Sequence, residues 1–194
     1  SRLTDAGISS PRHYFQPEQV PDEPDSFWYV KSGKGTAGKE VWICQRPEIA
    51  RYFQPGFLIQ EALENIALFN GKKFTLRVYV LVHHNMVYWY PEGFLVLHAP
   101  DYDREVPDSR MHFNHSGYMD RLSDVQLLPT RYYTGYRVLE PTLVDLLQKV
   151  FGMFAPELDE TRNGNSYCLF GLDLLVLADH QVALLEINDR PSFT

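Results

Sequence analysis

Cysteine is scarce in this chain, with Cys44 and Cys168 as the only two. Two widely separated thiols build neither a disulfide framework nor a cysteine-based metal motif. Both sit in strand-like runs, which predicts reduced core thiols and a cytoplasmic setting. Excess positive charge is absent as well. The net charge is −7, which leaves no electrostatic footprint for nucleic acid. No apolar stretch is long enough to cross a bilayer, and neither a signal nor a transit pattern is visible, so a membrane is not an expected partner either. There is no internal repeat. Gly-Lys-Ser/Thr opening a helix is missing, and so is Gly-x-Gly-x-x-Gly. His83-His84 and the pair His112 and His115 lack a closed ligand set and read as surface or loop histidines.

What is present is concentrated at the C-terminal end. Leu169-Phe-Gly-Leu-Asp173, a short Ala-Asp-His-Gln turn and Leu184-Leu-Glu186-Ile-Asn188 form two hydrophobic runs expected to pair as neighbouring strands. Glu186 and Asn188 are two residues apart, so a strand projects them from one face. Two carboxylates and an amide oxygen converging there make a hard-ligand site suited to Mg²⁺ with nucleotide phosphates. An ordinary surface hairpin with solvated acids is the alternative.

Upstream, Trp28-Tyr-Val-Lys31 leads into a glycine-rich turn containing Gly33, Gly35 and Gly38, followed by a strand from Glu40 to Cys44. Glycines let backbone N–H groups close on phosphate oxygens, and Lys31, Lys34 and Lys39 supply charge. Lys34 and Lys39 read equally well as solvated loop charges. Phe57 to Leu63 reads as a strand running into an exposed segment where Gln60 and the backbone can meet an adenine edge. Asn70-Gly71 is a turn signal before a further strand. Along that strand Lys73, Thr75 and Arg77 share one face, opposite Phe74, Leu76 and Val78, and inward cationic side chains are costly unless they meet an anion.

In this order the motifs resemble one family. Trp-x-x-Lys with a glycine-rich loop, Gln-x-x-Leu, Gly-Lys-Lys-Phe-x-Leu-Arg-x-Tyr-Val-Leu-Val, Phe-Gly-x-Asp and Leu-Leu-Glu-x-Asn-x-x-Pro-Ser are similar to the tubulin–tyrosine-ligase-like branch of the ATP-grasp ligases. The resemblance runs from about Phe27 to Ser192. It implies an α+β ATP-grasp fold with two subdomains closing on ATP between antiparallel sheets, and ATP- and Mg²⁺-dependent carboxylate–amine ligation through an acyl-phosphate. Carried over, Lys31, Gly35 and Lys73 would contact phosphates, and Gln60, Glu61, Ala62 and Leu63 would form the adenine hinge. Arg77, with Lys73, would serve the reacting phosphate, and Asp173, Glu186 and Asn188 would hold Mg²⁺. An amino acid and a protein or peptide acceptor, tubulin among the acceptors the resemblance allows, are the implied partners.

This chain departs from the family at Thr75, where an acid is usual, at Val96, where an arginine is usual, and at His115, where an asparagine is usual. These changes lie on the substrate side and also suit a nucleotide-binding pseudo-ligase that serves as an interaction module. A peptide or metabolite ligase unrelated to tubulin shares the chemistry. The net charge fits poorly with an acidic tubulin tail, although Arg104, Arg110, Arg121, Arg131 and Arg137 offer a local cationic groove or simply scattered surface charge.

The chain is expected to be a fragment of a longer protein lacking an N-terminal subdomain. Residues 1–26 read as a wrapping arm or linker. Residues 27–194 read as the ligase-like domain, with a small lobe over 27–63 and a larger lobe over 64–194. Arg46 to Tyr52 reads as a short helix, Met86 to Tyr90 and Phe94 to His98 as strands, and Ala99 to Ser109 as a loop. Glu140 to Phe154 reads as an amphipathic helix and Thr161 to Asn165 as a turn. Most of the aromatics Tyr88, Trp89, Tyr90, Tyr132, Tyr133 and Tyr136 are expected in core or sheet-face packing, with the lining of a substrate pocket or single-strand binding as the alternative.

Overall fold

Two antiparallel sheets carry nearly all of the functional candidates in a computed structural model that describes residues 2–23, 25–33, 40–84, 86–112, 125–160, 167–189 and 191. The chain separates into two compact units, both discontinuous in sequence: Ser1–Ser10, Phe74–Val96 and Leu127–Thr194 form one, and Pro11–Lys73 with Leu97–Gln126 form the other. A one-turn helix, α1 (Arg2–Asp5), precedes the strands, and no described helix is long and apolar enough to cross a membrane.

In the second unit a four-stranded sheet has the order β1 (His13–Tyr14), β4 (Phe57–Glu61), β2 (Phe27–Ser32), β3 (Val41–Gln45). Strand alternation divides its residues cleanly. Trp28, Val30, Cys44 and Ile59 turn to one side and form a core with Val20 and Ile49, flanked by Tyr14, Tyr52, Phe53 and Phe57. Tyr29, Lys31 and Gln60 therefore belong to the opposite face, since Tyr29 pairs with Gln60 across β2 and β4. A 3₁₀ turn over Arg46–Glu48 runs into α2 (Ile49–Tyr52). Its start is fixed by a capping box between Gln45 and Glu48, with Pro47 in the first turn where no N–H is needed. Residues 11–23 are held by this unit: His13 and Tyr14 pair with β4, and Val20 is buried.

The other sheet follows the order β11 (Val182–Asn188), β10 (Tyr167–Val176), β6 (Lys72–His83), β8 (Phe94–His98), β9 (Val125–Pro129), with β5 (Leu68–Phe69) and β7 (Met86–Trp89) also pairing with β6. One face of β6 and β10 presents Phe74, Leu76, Val78, Phe170, Leu172 and Leu174. Phe170 meets Phe151 of α4 (Tyr136–Glu160) at 5.6 Å between ring centroids. The helix begins one turn earlier than Glu140, the start its sequence pattern gives. Leu139 is fully buried and extends the stripe of Leu143, Leu146, Leu147 and Val150.

Between Asp173 and Leu174 the β10–β11 register shifts: Asp173 faces Glu186, whereas Leu174 faces Leu184. Leu185 is thus an extra residue, a β-bulge. Without it Glu186 and Leu184 would share a face. With it Leu184 and Ile187 serve the apolar side and Glu186 and Asn188 the other.

Three expectations from the sequence need correction. Cys44 is in the core, where burial pushes its thiol up to about 12, but Cys168 is exposed because β10 begins with two solvent-exposed residues. Tyr88, Tyr90 and Tyr132 are 50%, 62% and 58% exposed rather than packed. β7, which carries Tyr88, is a short hairpin strand off the main strand order with three of its four residues exposed. His112, which ends the one-turn helix α3 (Ser109–His112), is buried rather than on the surface, enclosed by its own unit. The turn expected at 161–165 lies outside the described residues.

Candidate functional site

The polar face of the β11–β10–β6 sheet carries the first constellation. Register places Arg77 opposite Asp173 and Asp173 opposite Glu186, so the three stand in a row across three strands, with Asn188 opposite Gly171 one step along. Arg77 donates from Nε to Asp173 Oδ1 at 2.6 Å and from Nη2 to Oδ2 at 2.8 Å, a bidentate pair. Asn188 Nδ2 donates to the same Oδ2 at 3.2 Å, which leaves its amide oxygen as the group presented outward. Asp173 is 3% exposed, whereas Glu186 is exposed. Burial works against the Arg77 charge, but the hydrogen bonds and charge of Asp173 outweigh it and raise the guanidinium's pKa.

Gly171 explains the Phe-Gly-x-Asp motif physically. A Cβ there would stand 2.6 Å from Pro191 Cβ and 3.2 Å from Arg77 Cδ, so its absence gives the arginine room to lie along β10. Asp173, Glu186 and Asn188 form a hard-oxygen set suited to a divalent cation. Asp173 is at once a ligand candidate and the counter-ion of Arg77. Among the described residues no cluster of three or more His, Cys, Asp or Glu is formed.

The second constellation lies on the non-core face of the four-stranded sheet. Lys73 is 6% exposed, and its ammonium donates to Tyr29 Oη at 3.0 Å and to the His112 carbonyl at 3.2 Å. It also lies 5.5 Å from the Tyr29 ring centre, and Lys31 Nζ lies 5.7 Å from it. Burial lowers the Lys73 pKa to about 8. Tyr29 Oη contacts His112 Nδ1 at 3.4 Å, and His112 Nε2 contacts the Val106 carbonyl at 2.9 Å. A carbonyl only accepts, so Nε2 carries the proton, Nδ1 accepts, and the Tyr29 hydroxyl donates to it while accepting from Lys73.

That chain of bonds requires neutral His112. Burial, helped by the Lys73 charge, lowers its pKa to about 4. Between the ordinary value of 6.5 and about 4 the unfolded chain binds a proton that the folded chain refuses, so stability falls as pH drops through this window. Relative to His112→Asn, the wild type should lose roughly 2 kcal/mol more between pH 7 and pH 4.5, read from urea midpoints at the two values. Parallel losses in the two proteins would contradict the assignment.

The expected adenine hinge is partly committed to its own unit. Gln60 is 2% exposed, and its Nε2 has no hydrogen-bond partner among the described residues. The Glu61 amide donates to the Arg12 carbonyl and the Ala62 amide to the Phe27 carbonyl, each at 3.0 Å. Arg12 grips the Glu61 carboxylate at 2.9 Å and also reaches Glu23, and these bonds outweigh the desolvation of Glu61 and lower its pKa. Ala62 and Leu63 line a shallow cavity with Phe27, Tyr102, Arg104 and His112.

Gly35, Lys34, Lys39, His115 and Arg121 lie outside the described residues. Thr75 and Val96 are buried. Arg104 pairs with Glu105 and Glu64, Arg110 with Asp108, and Arg131 with Glu92, so these arginines are neutralised locally. Sequence reasoning missed Tyr29 and Arg12. Tyr29 was detectable, since it lies two residues before Lys31 and shares its face. Arg12 had no signal, because its partner Glu61 is remote in sequence.

A mixed α+β chain with two antiparallel sheets, in which one strand, β6, carries both the buried lysine and the arginine of the arginine–acid row, defines the class. Residues 11–127 match the model of the tubulin-tyrosine ligase family, and the chain belongs to that family. The matched span contains Lys31, Gln60, Lys73 and Arg77 and ends before Asp173. A probable tubulin–tyrosine ligase of Schizosaccharomyces pombe is 28% identical over 148 residues, 71% of this chain and 36% of the relative. A probable alpha-tubulin polyglutamylase of Tetrahymena thermophila is 22% identical over 210 residues, 91% of this chain and 51% of the relative. The chain thus spans about a third to a half of these relatives' length.

Proposed function

We propose that this chain is the nucleotide-handling part of an ATP-grasp ligase, which joins an amino acid to a protein or peptide acceptor with ATP and Mg²⁺. One observation carries the reading: the bulged β10–β11 register that brings Asp173 and Glu186 face to face, with Arg77 bound to the first and Asn188 beside them. Tubulin is the acceptor suggested by the relatives' names, and a cytoplasmic setting follows from such an acceptor.

In the reaction a substrate carboxylate attacks the γ-phosphorus of ATP and ADP leaves. An amine then attacks the acyl carbon and phosphate leaves, so no protein nucleophile is required. Phosphoryl transfer of this kind depends on charge neutralisation and alignment. Arg77 offers a guanidinium held rigid by two bonds, and Lys73 and Lys31 offer ammonium groups for phosphate oxygens. An adenine base would lie beside Gln60 to Leu63, at the cavity lined by Phe27, Leu63 and Tyr102. With the Glu61 and Ala62 amides already donated, the Gln60 side-chain amide and the Leu63 backbone would be left to meet its edge. A divalent ion on Asp173, Glu186 and the Asn188 oxygen would offset phosphate charge.

A pseudo-ligase is the second reading, favoured by one feature: Val96 is an 8% exposed hydrophobe at the position where the family carries an arginine. Calorimetric titration with a non-hydrolysable ATP analogue, with and without Mg²⁺, tests the nucleotide site. Mg²⁺-dependent binding is expected, and a folded sample that binds nothing sinks the proposal. Formation of ADP with an amino acid and an acceptor present then separates ligase from pseudo-ligase.

A further inference from the structure

Lys73 is a buried cation whose partners among the described residues are all neutral: a phenol oxygen, a backbone carbonyl and an aromatic face. A buried ammonium without a counter-anion is costly, and it stays charged and in place only through well-oriented acceptors. The groups around it are Tyr29 and Lys31 from β2 and His112 from α3. Tyr102 lies against the His112 ring at 5.6 Å, and Asp108 acts on that ring through charge. Lys31 repels the ammonium, and neither Tyr102 nor Asp108 has a direct bond to it among the described contacts.

The hydroxyl of Tyr29 is the one side-chain acceptor bonded to Lys73 among the described residues. It is not free to rotate, because its proton is directed at His112 Nδ1, whose tautomer is fixed in turn by the Val106 carbonyl. The hydroxyl lone pairs are thereby turned toward Lys73. The geometry points to Tyr29 as a positioning residue for the anion-binding lysine, its hydroxyl, oriented by neutral His112, holding the Lys73 ammonium in place to receive phosphate oxygens. The inference rests on the nucleotide reading of Lys73 and adds to it a device unrelated to the glycine-rich turn. Tyr29→Phe keeps the ring and its cation–π contact and deletes only the oxygen.

Two measurements on the full chain test it. In protein labelled with ¹³C-lysine, the Cε resonance of Lys73 reports its titration without any ligand. Tyr29→Phe should move the midpoint down by about one pH unit, because the ammonium loses an acceptor worth that much. The same variant should bind the Mg²⁺ complex of a non-hydrolysable ATP analogue about ten-fold more weakly at pH 7.5. An unmoved midpoint overturns the inference, even where binding weakens, since ring packing alone would then account for the loss. Lys73→Met separates the two levels. Unchanged affinity in this variant, or a folded wild type that binds no nucleotide, overturns the nucleotide reading of Lys73. Affinity lost in Lys73→Met but retained in Tyr29→Phe overturns the role of Tyr29 alone.

Discussion

Glu186→Gln is expected to abolish Mg²⁺-dependent ATP turnover and the Mg²⁺ enhancement of nucleotide binding, with little change in the unfolding midpoint. Glu186 is exposed, so the fold loses little when its charge goes; surface substitutions of this kind usually stay within about 0.5 kcal/mol. Gln keeps the shape and one oxygen but removes the negative charge that a hard cation needs. The contrast is Asp173→Ala. Asp173 is buried and bound at both oxygens by Arg77, so its loss strands a guanidinium that is itself only 14% exposed. Removing one member of a buried pair costs about 3–5 kcal/mol. Urea unfolding and calorimetry on both variants are therefore expected to differ in the fold alone: lost Mg²⁺ response on an intact fold for Glu186→Gln, and lost Mg²⁺ response on a weakened fold for Asp173→Ala. Normal turnover by Glu186→Gln would remove that residue from the site.

Gly93→Ala should be the most damaging single methyl in the described structure. A Cβ at residue 93 would fall 2.0 Å from the Arg77 carbonyl oxygen and 3.1 Å from its carbon, so backbone rather than a flexible side-chain tip must give way. Retreat is blocked from the other side. The Gly93 amide donates to Thr130 Oγ1 and its carbonyl accepts from the Thr130 amide, both at 3.1 Å, and Thr130 is 1% exposed. The cost is about 3 kcal/mol or more, at the upper end for overpacking, and the displaced strand carries Arg77 away from Asp173. A control comes from Gly152 in α4, where nothing lies within 4 Å of the added carbon. There alanine should stabilise by roughly 0.5–1 kcal/mol through helix propensity and unfolded-state entropy. Equal effects at the two glycines, measured by urea denaturation, would refute the steric account. Only the packing shows that this glycine makes room for the strand bearing the candidate arginine.

Local quantities were legible in the sequence. Period-two alternation placed Lys73, Thr75 and Arg77 on one face of a strand, and Glu186 with Asn188 on one face of another, because strand geometry fixes side-chain direction within a few residues. Apolar spacing located the middle of α4, which starts one turn earlier and ends six residues later than that spacing gives, and turn residues marked the β10–β11 hairpin. Ordered motifs gave the family before any contact was known. Tertiary structure decided whatever depends on a partner remote in the chain. The bulge at Leu185 that sets Glu186 opposite Asp173 is a property of pairing, not of either strand. Arg77 bonding to Asp173 joins residues 96 positions apart, and Lys73 bonding to Tyr29 joins residues 44 apart. Burial followed the same rule: His112 is enclosed and Tyr88 and Cys168 are exposed because of what other segments cover, and composition carries no record of that. Periodicity is a local property of the backbone, whereas pKa, ion pairing and access arise from groups brought together only when the chain closes on itself.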